Sequence, residues 1–129
     1  MDLKTLCIHG SRTKYDTTGA ISVPIFQSAT FAHPGVGKST GFDYSRQQNP
    51  TREHLEKAVA ALECGSDALA FSTGMAAETA LMELFSPGDH IIASDDLYRG
   101  SHRLFRHISA KNGIAVDFVT TSVAAEIEP

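Results

Sequence analysis

The chain has 129 residues, 42% of them apolar and 20% charged, with a formal charge of −4 at pH 7. That is one domain at most, and the acidic balance gives no electrostatic ground for a nucleic-acid or anionic-membrane partner. Cys7 and Cys64 stand far apart and outside any CxxC pattern, and no stretch is long and apolar enough for a signal peptide or membrane span, so a reducing, cytoplasmic setting is expected.

Residues 1–48 show little helical or strand periodicity. They are rich in Gly, Ser and Thr, and the one strand-like piece, AISVPIFQSATF, is interrupted by Pro24. Such an irregular arm is unusual inside a compact domain. It is expected to dock on something else, such as a second subunit.

Regular patterning begins at Asn49. In NPTREHLEKAVAALECG, Asn49 can cap a helix and Pro50 can take its first position, with Leu55, Ala58, Val59 and Leu62 at helical spacing and Gly65 as the stop. DALAFS has strand length, TGMAAETALMELF reads as a helix, and HIIASD reads as a strand. LYRGSHRLFRHISAKNG then predicts a helix stopped at Asn112 and Gly113, and IAVDFVTT a last strand. Alternating helices and strands predict an α/β fold with a parallel sheet, whose ligands gather at the carboxyl ends of the strands. SVAAEIEP reads as the start of another helix, so residues 49–129 are expected to be an incomplete α/β domain.

HPGVGKST, residues 33–40, imitates a phosphate-binding P-loop. That motif needs Gly, four residues, then Gly-Lys-Ser/Thr. Counting back from Gly37-Lys38, the first glycine's place holds Ala32, and no helical pattern follows Ser39. The stretch reads as a Gly-rich surface loop.

FSTGMAA, residues 71–77, is the better anion site, because it joins an expected strand to an expected helix. The first N–H groups of a helix lack internal partners and face its positive pole. Gly74 permits close approach, although the same residues also serve as an ordinary capped helix start. Tyr44 and Arg46 in YSRQQNPT offer a hydroxyl and a planar donor fork. Tyr98 in DDLYRGS lies just past a strand end, where an aromatic ring can stack on a flat ligand or simply pack on the sheet rim. His102 and His107, five residues apart, lack metal-ligand spacing, and no metal site is expected.

YSRQQNPT, STGMAA and DDLYRGS, in this order and at these separations, resemble the Cys/Met-metabolism enzymes that use pyridoxal phosphate. These include cystathionine γ-lyase, cystathionine β-lyase, cystathionine γ-synthase and methionine γ-lyase. TGAISVPIFQSATF resembles that family's N-terminal segment, so the resemblance covers nearly the whole chain.

The resemblance implies the N-terminal part of a pyridoxal-phosphate-dependent transferase fold like that of aspartate aminotransferase. It implies that Tyr44 and Arg46 reach across a subunit boundary to the cofactor phosphate of a neighbouring site. Gly74 and Met75 would hold the phosphate by their backbone N–H groups. Tyr98 would stack on the pyridine ring and serve in proton transfer. It further implies a homotetramer built from dimers and a sulfur amino-acid substrate such as cystathionine, cysteine, homocysteine or methionine. The function expected is that of a C–S lyase, with the γ-synthase and a non-catalytic ligand- or partner-binding short form as alternatives.

Two departures stand out. Arg99 follows Tyr98 where the family carries Gly. None of Lys4, Lys14, Lys38, Lys57 and Lys111 sits in the family's Ser-x-Thr-Lys motif, so the cofactor lysine is expected beyond Pro129. The acid facing the pyridine nitrogen and the arginine for the substrate carboxylate are expected there too.

Overall fold

The computed structural model describes residues 2–9, 19–123 and 127. They group into two compact units, residues 1–70 and 71–129. The sequence boundary at 48/49 marks where helical patterning begins; by contacts, the helix that begins there belongs to the first unit. Most of SVAAEIEP, where a further helix is expected, lies outside the described residues.

In the first unit, helix α1 (Leu3–His9) packs on helix α2 (Pro50–Leu62). α1 departs from the expectation of an arm without periodicity. Its seven residues are too few to display a repeat, and Asp2 starts it by accepting from the Thr5 N–H at 3.0 Å.

α2 begins as expected. The Asn49 side chain accepts from the Thr51 N–H at 2.9 Å, and Pro50 takes the first turn, where its missing N–H costs nothing. The ion pairs Arg52–Glu56 and Glu53–Lys57 brace the helix at i,i+4 spacing. The helix stop differs by one residue from expectation. Cys64, not Gly65, takes the left-handed conformation, at φ +54°, and the Gly65 N–H closes back on the Ala60 carbonyl at 2.9 Å. This is the six-to-one bond of a Schellman ending.

The arm before α2 folds back on itself. Thr30 and Tyr44 form an antiparallel bridge, with Phe31 N–H to Asp43 O at 3.2 Å and Ser45 N–H to Ala29 O at 2.9 Å. Phe31 and Phe42 meet with ring centroids 5.6 Å apart, and Phe42 is buried. The P-loop imitator is the tip of this arm. Gly35 and Lys38 close a tight turn, with Gly37 at φ +72° and Lys38 N–H to Gly35 O at 3.0 Å. Positive φ at the third turn position is glycine's role in a type II turn. No helix follows it before Pro50.

The second unit contains α3 (Gly74–Met82), β1 (His90–Ser94), α4 (Arg99–Arg103) with a π-helical continuation (Leu104–Ser109), and β2 (Ala115–Val119). β1 and β2 pair in parallel, from His90 opposite Ala115 to Ser94 opposite Val119. The α/β fold class with a parallel sheet thus stands. Ala93, Leu104 and Ile114 are buried, as are Ser101 and Ser109.

Two expectations are corrected here. DALAFS is not a strand: residues 67–72 are irregular, and Leu69 and Phe71 are exposed. A strand exists only through its ladder, and the sheet among the described residues contains only β1 and β2. The helix expected over 97–113 starts at Arg99 and widens after one turn. Ala110 N–H bonds to Phe105 O at 3.3 Å and Ile114 N–H to Ser109 O at 3.0 Å, both five residues back. Apolar spacing does not distinguish such a widened turn from an α-turn. The expected stop survives, with Gly113 at φ +78°.

Candidate functional site

The first unit carries Tyr44 and Arg46 on the bend between the arm and α2. The Tyr44 carbonyl accepts from the Gln47 and Gln48 N–H groups at 2.9 and 3.0 Å, which turns the chain sharply. α2 grips the bend from the other side. Asn49 Nδ2 donates to Ser45 Oγ at 2.9 Å, and Arg52 Nη1 donates to the Ser45 carbonyl at 3.0 Å. On this fixed bend, Arg46 Nη1 donates to Tyr44 Oη at 2.7 Å. Tyr44 is half-buried and Arg46 exposed, which leaves guanidinium N–H groups facing solvent as an anion-ready fork.

The second unit carries the other three expected residues. Thr73 caps α3 in extended backbone, and its Oγ1 accepts from the Ala76 N–H at 3.1 Å. The Ala77 N–H reaches the Thr73 carbonyl. The N–H groups of Gly74 and Met75 precede any intrahelical partner. Nothing lies within 4 Å of the place a Cβ on Gly74 would occupy. The helix start is therefore open, and its donors and its positive pole face the same space.

Tyr98 comes four residues after the carboxyl end of β1. The loop between them is tied to the sheet. Asp95 N–H bonds to Val119 O at 3.0 Å, and His102 Nε2 meets the Asp95 carbonyl at 2.9 Å. Tyr98 is the N-cap of α4 and gives no side-chain cap bond. The residue is 71% exposed, so it is not buried on the sheet rim and is open to a ligand.

The structure brings Met75 and Tyr98 together, and the residue that permits it is Gly100. A Cβ there would meet Met75 Sδ at 2.8 Å and Tyr98 Cδ1 at 2.9 Å, with Cε1 closer still. Sequence reasoning missed Gly100 because its φ is ordinary; its glycine requirement is a matter of space between two helices. Arg103 and His107 were missed as well. Together with Met75, Tyr98, Leu104 and Ile108 they line a cavity of about 440 Å³. One turn separates them on the helix, so Arg103 and His107 line the same cavity as Tyr98. Of the two histidines weighed for metal, His107 belongs to this cavity and the His102 ring stacks on Phe118 at 4.5 Å.

Comparison with known proteins gives concordant results. The family model for the Cys/Met metabolism PLP-dependent enzymes matches residues 4–129. Cystathionine gamma-lyase of Bacillus subtilis (strain 168) is 48% identical over 128 residues, covering 99% of this chain and 34% of the relative. A probable cystathionine gamma-synthase of Herpetosiphon aurantiacus is 43% identical over 129 residues, covering 97% and 40%. The crystal structure of cystathionine gamma-lyase from Lactobacillus plantarum complexed with L-serine superimposes with a TM-score of 0.87 at 40% identity, covering 98% of this chain and 33% of that one. The chain thus spans about a third of the length of the relatives it matches.

Proposed function

The chain belongs to the Cys/Met metabolism PLP-dependent enzymes, and from that premise we propose that it forms the phosphate- and ring-holding part of a lyase that cleaves a carbon–sulfur bond in a sulfur amino acid. The observation that carries this reading is the open start of α3 with Tyr98 beside it.

The residues present fit the family's cofactor. Gly74 and Met75 offer two backbone donors at the positive end of a helix, and the space over Gly74 is clear. Tyr98 offers an exposed aromatic face. Bound pyridoxal phosphate supplies the electron sink that lets a bond next to the substrate amine break.

This chain's own residues hold and orient. Gly74 and Met75 fix the phosphate by N–H donation, and Arg46 and Tyr44 add a fork and a hydroxyl, supplied to a neighbouring subunit's site. Tyr98 supports the ring, and its hydroxyl holds or passes a proton at the substrate. Arg103, in the same cavity as Tyr98, attracts an anionic substrate group. The protein acts as a homo-oligomer, a tetramer built from dimers, in a reducing cytoplasm, in keeping with exposed, unpaired Cys7 and Cys64. No helix among the described residues is long and apolar enough to cross a membrane.

Reaction type is set by a product experiment on the intact protein. Incubation with cystathionine should release cysteine or homocysteine together with a 2-oxoacid. Formation of cystathionine from an O-acylated homoserine and added cysteine, with the carboxylic acid leaving and no 2-oxoacid released, would favour the γ-synthase reading, which the Herpetosiphon relative supports. Residues 1–129 in isolation should give no turnover, because none of their lysines occupies a Ser-x-Thr-Lys motif. Steady product release by that piece would refute this assignment of roles.

A further inference from the structure

We propose that Gly100 and the hydrogen bond between Ser101 and Glu78 are positioning elements that set the Tyr98 ring against the open start of α3. The inference rests on the cofactor reading above and deepens it.

Two helix starts meet here. The start of α3 carries the free donors of Gly74 and Met75, and the start of α4 carries Tyr98. Glu78 lies one turn along α3 from Gly74 and Met75, and so on their face of the helix. Ser101 lies three residues past Tyr98, is only 3% exposed, and donates its hydroxyl to Glu78 Oε1 at 2.9 Å. Glu78 Oε2 is buried and has no hydrogen-bond partner. An apolar residue at 78 would join the helices without a dry carboxylate oxygen, which is unfavourable. What the carboxylate adds is direction. A hydrogen bond falls off steeply with angle, so it fixes the rotation of the first turn of α4 about its axis. That turn carries Tyr98.

Gly100 sets the distance as Glu78 sets the rotation. The Met75 thioether and the Tyr98 ring both occupy space that any side chain at 100 would claim. Those neighbours are side chains, so the ring and the thioether, rather than backbone, would give way. Sulfur near an aromatic edge is also a favourable contact in itself. Tyr98 acts on the ligand; Gly100, Ser101 and Glu78 act through Tyr98.

The test uses the intact protein with two ligands and one ligand-free signal. Pyridoxine 5′-phosphate carries the ring and the phosphate, without the aldehyde that bonds lysine. Inorganic phosphate carries only the second part. In Gly100→Ala and Ser101→Ala the affinity for pyridoxine 5′-phosphate should fall about tenfold relative to inorganic phosphate, the range of one aromatic stacking contact. Affinity for inorganic phosphate should stay within about twofold, and Ser101→Thr, which keeps the hydroxyl, should restore the ratio.

With methyl-labelled methionine, the Met75 resonance should move in Gly100→Ala toward its position in Tyr98→Leu, because the ring current is displaced. The Met82 resonance, at the far end of α3 against Ser109, should stay in place. An unchanged ratio and an unmoved Met75 methyl would overturn the proposal, as would equal loss of both ligands. Should the unsubstituted protein bind neither ligand, the cofactor reading falls, and the Met75 methyl alone still decides the positioning claim.

Discussion

The guanidinium of Arg46 lies over the ring of Tyr44, 4.1 Å from its centroid, while donating to the same residue's hydroxyl. Such a contact pre-organises the fork, so little side-chain freedom remains to be lost when an anion binds. Arg46→Ala should weaken pyridoxal phosphate binding by about tenfold to a hundredfold, as for a lost charged hydrogen bond. Tyr44→Phe should cost less, because the ring remains under the guanidinium. Equilibrium dialysis of the intact protein measures both. The cross-subunit role has its own test: Arg46→Ala and Tyr98→Ala proteins, each impaired alone, should regain part of the activity through hybrid dimers when co-expressed. No recovery would place both residues at one subunit's own site.

Substitution separates the two roles proposed for Tyr98. Tyr98→Phe keeps the stacking face, so cofactor affinity should change by less than about threefold while kcat falls by at least about tenfold, within the range of a lost proton-transfer group. Tyr98→Ala should lose affinity as well, by about 0.5–1.5 kcal/mol for a stacking contact. Equal kcat in Tyr98→Phe and the unsubstituted enzyme would remove the hydroxyl from the chemistry.

Arg103 shares the cavity with Tyr98. Arg103→Ala should raise KM for cystathionine about tenfold with kcat within about threefold, the pattern of binding energy used equally in ground and transition states. Arg103→Lys should lie between. Steady-state kinetics in which KM is unmoved would assign Arg103 to solvent.

Cys64 sits in the left-handed region at the end of α2, where a side chain is penalised by roughly 1–2 kcal/mol. Glycine avoids that penalty but loses more chain entropy on folding. Cys64→Gly should therefore stabilise the protein by a net of about 0.5–1 kcal/mol and raise Tm, whereas Cys64→Ala should not. Thermal unfolding of the intact protein under reducing conditions provides the comparison.

Local chemistry was legible in the sequence. Asn49-Pro50 announced the start of α2 because capping and the missing proline N–H are properties of adjacent residues. Thr73-Gly74 announced the start of α3 for the same reason. The false P-loop was rejected on spacing, and the turn at Gly37 agrees. What involved distant residues was harder to read. Residues 67–72 have the apolar character of a strand, but strand formation depends on a neighbour that no local pattern specifies. The π-helical widening over Leu104–Ser109 leaves no clear mark in apolar spacing.

The sequence by itself determined the family, the helix starts and the residues with chemistry to offer, because motif order and capping act over a few residues. Only the tertiary structure decided that Gly100 must lack a side chain, that Ser101 finds Glu78 across 23 residues, and that Arg103 shares a cavity with Tyr98. Those facts concern the space between α3 and α4. Such space is set by how two helices pack, and neither helix encodes it alone.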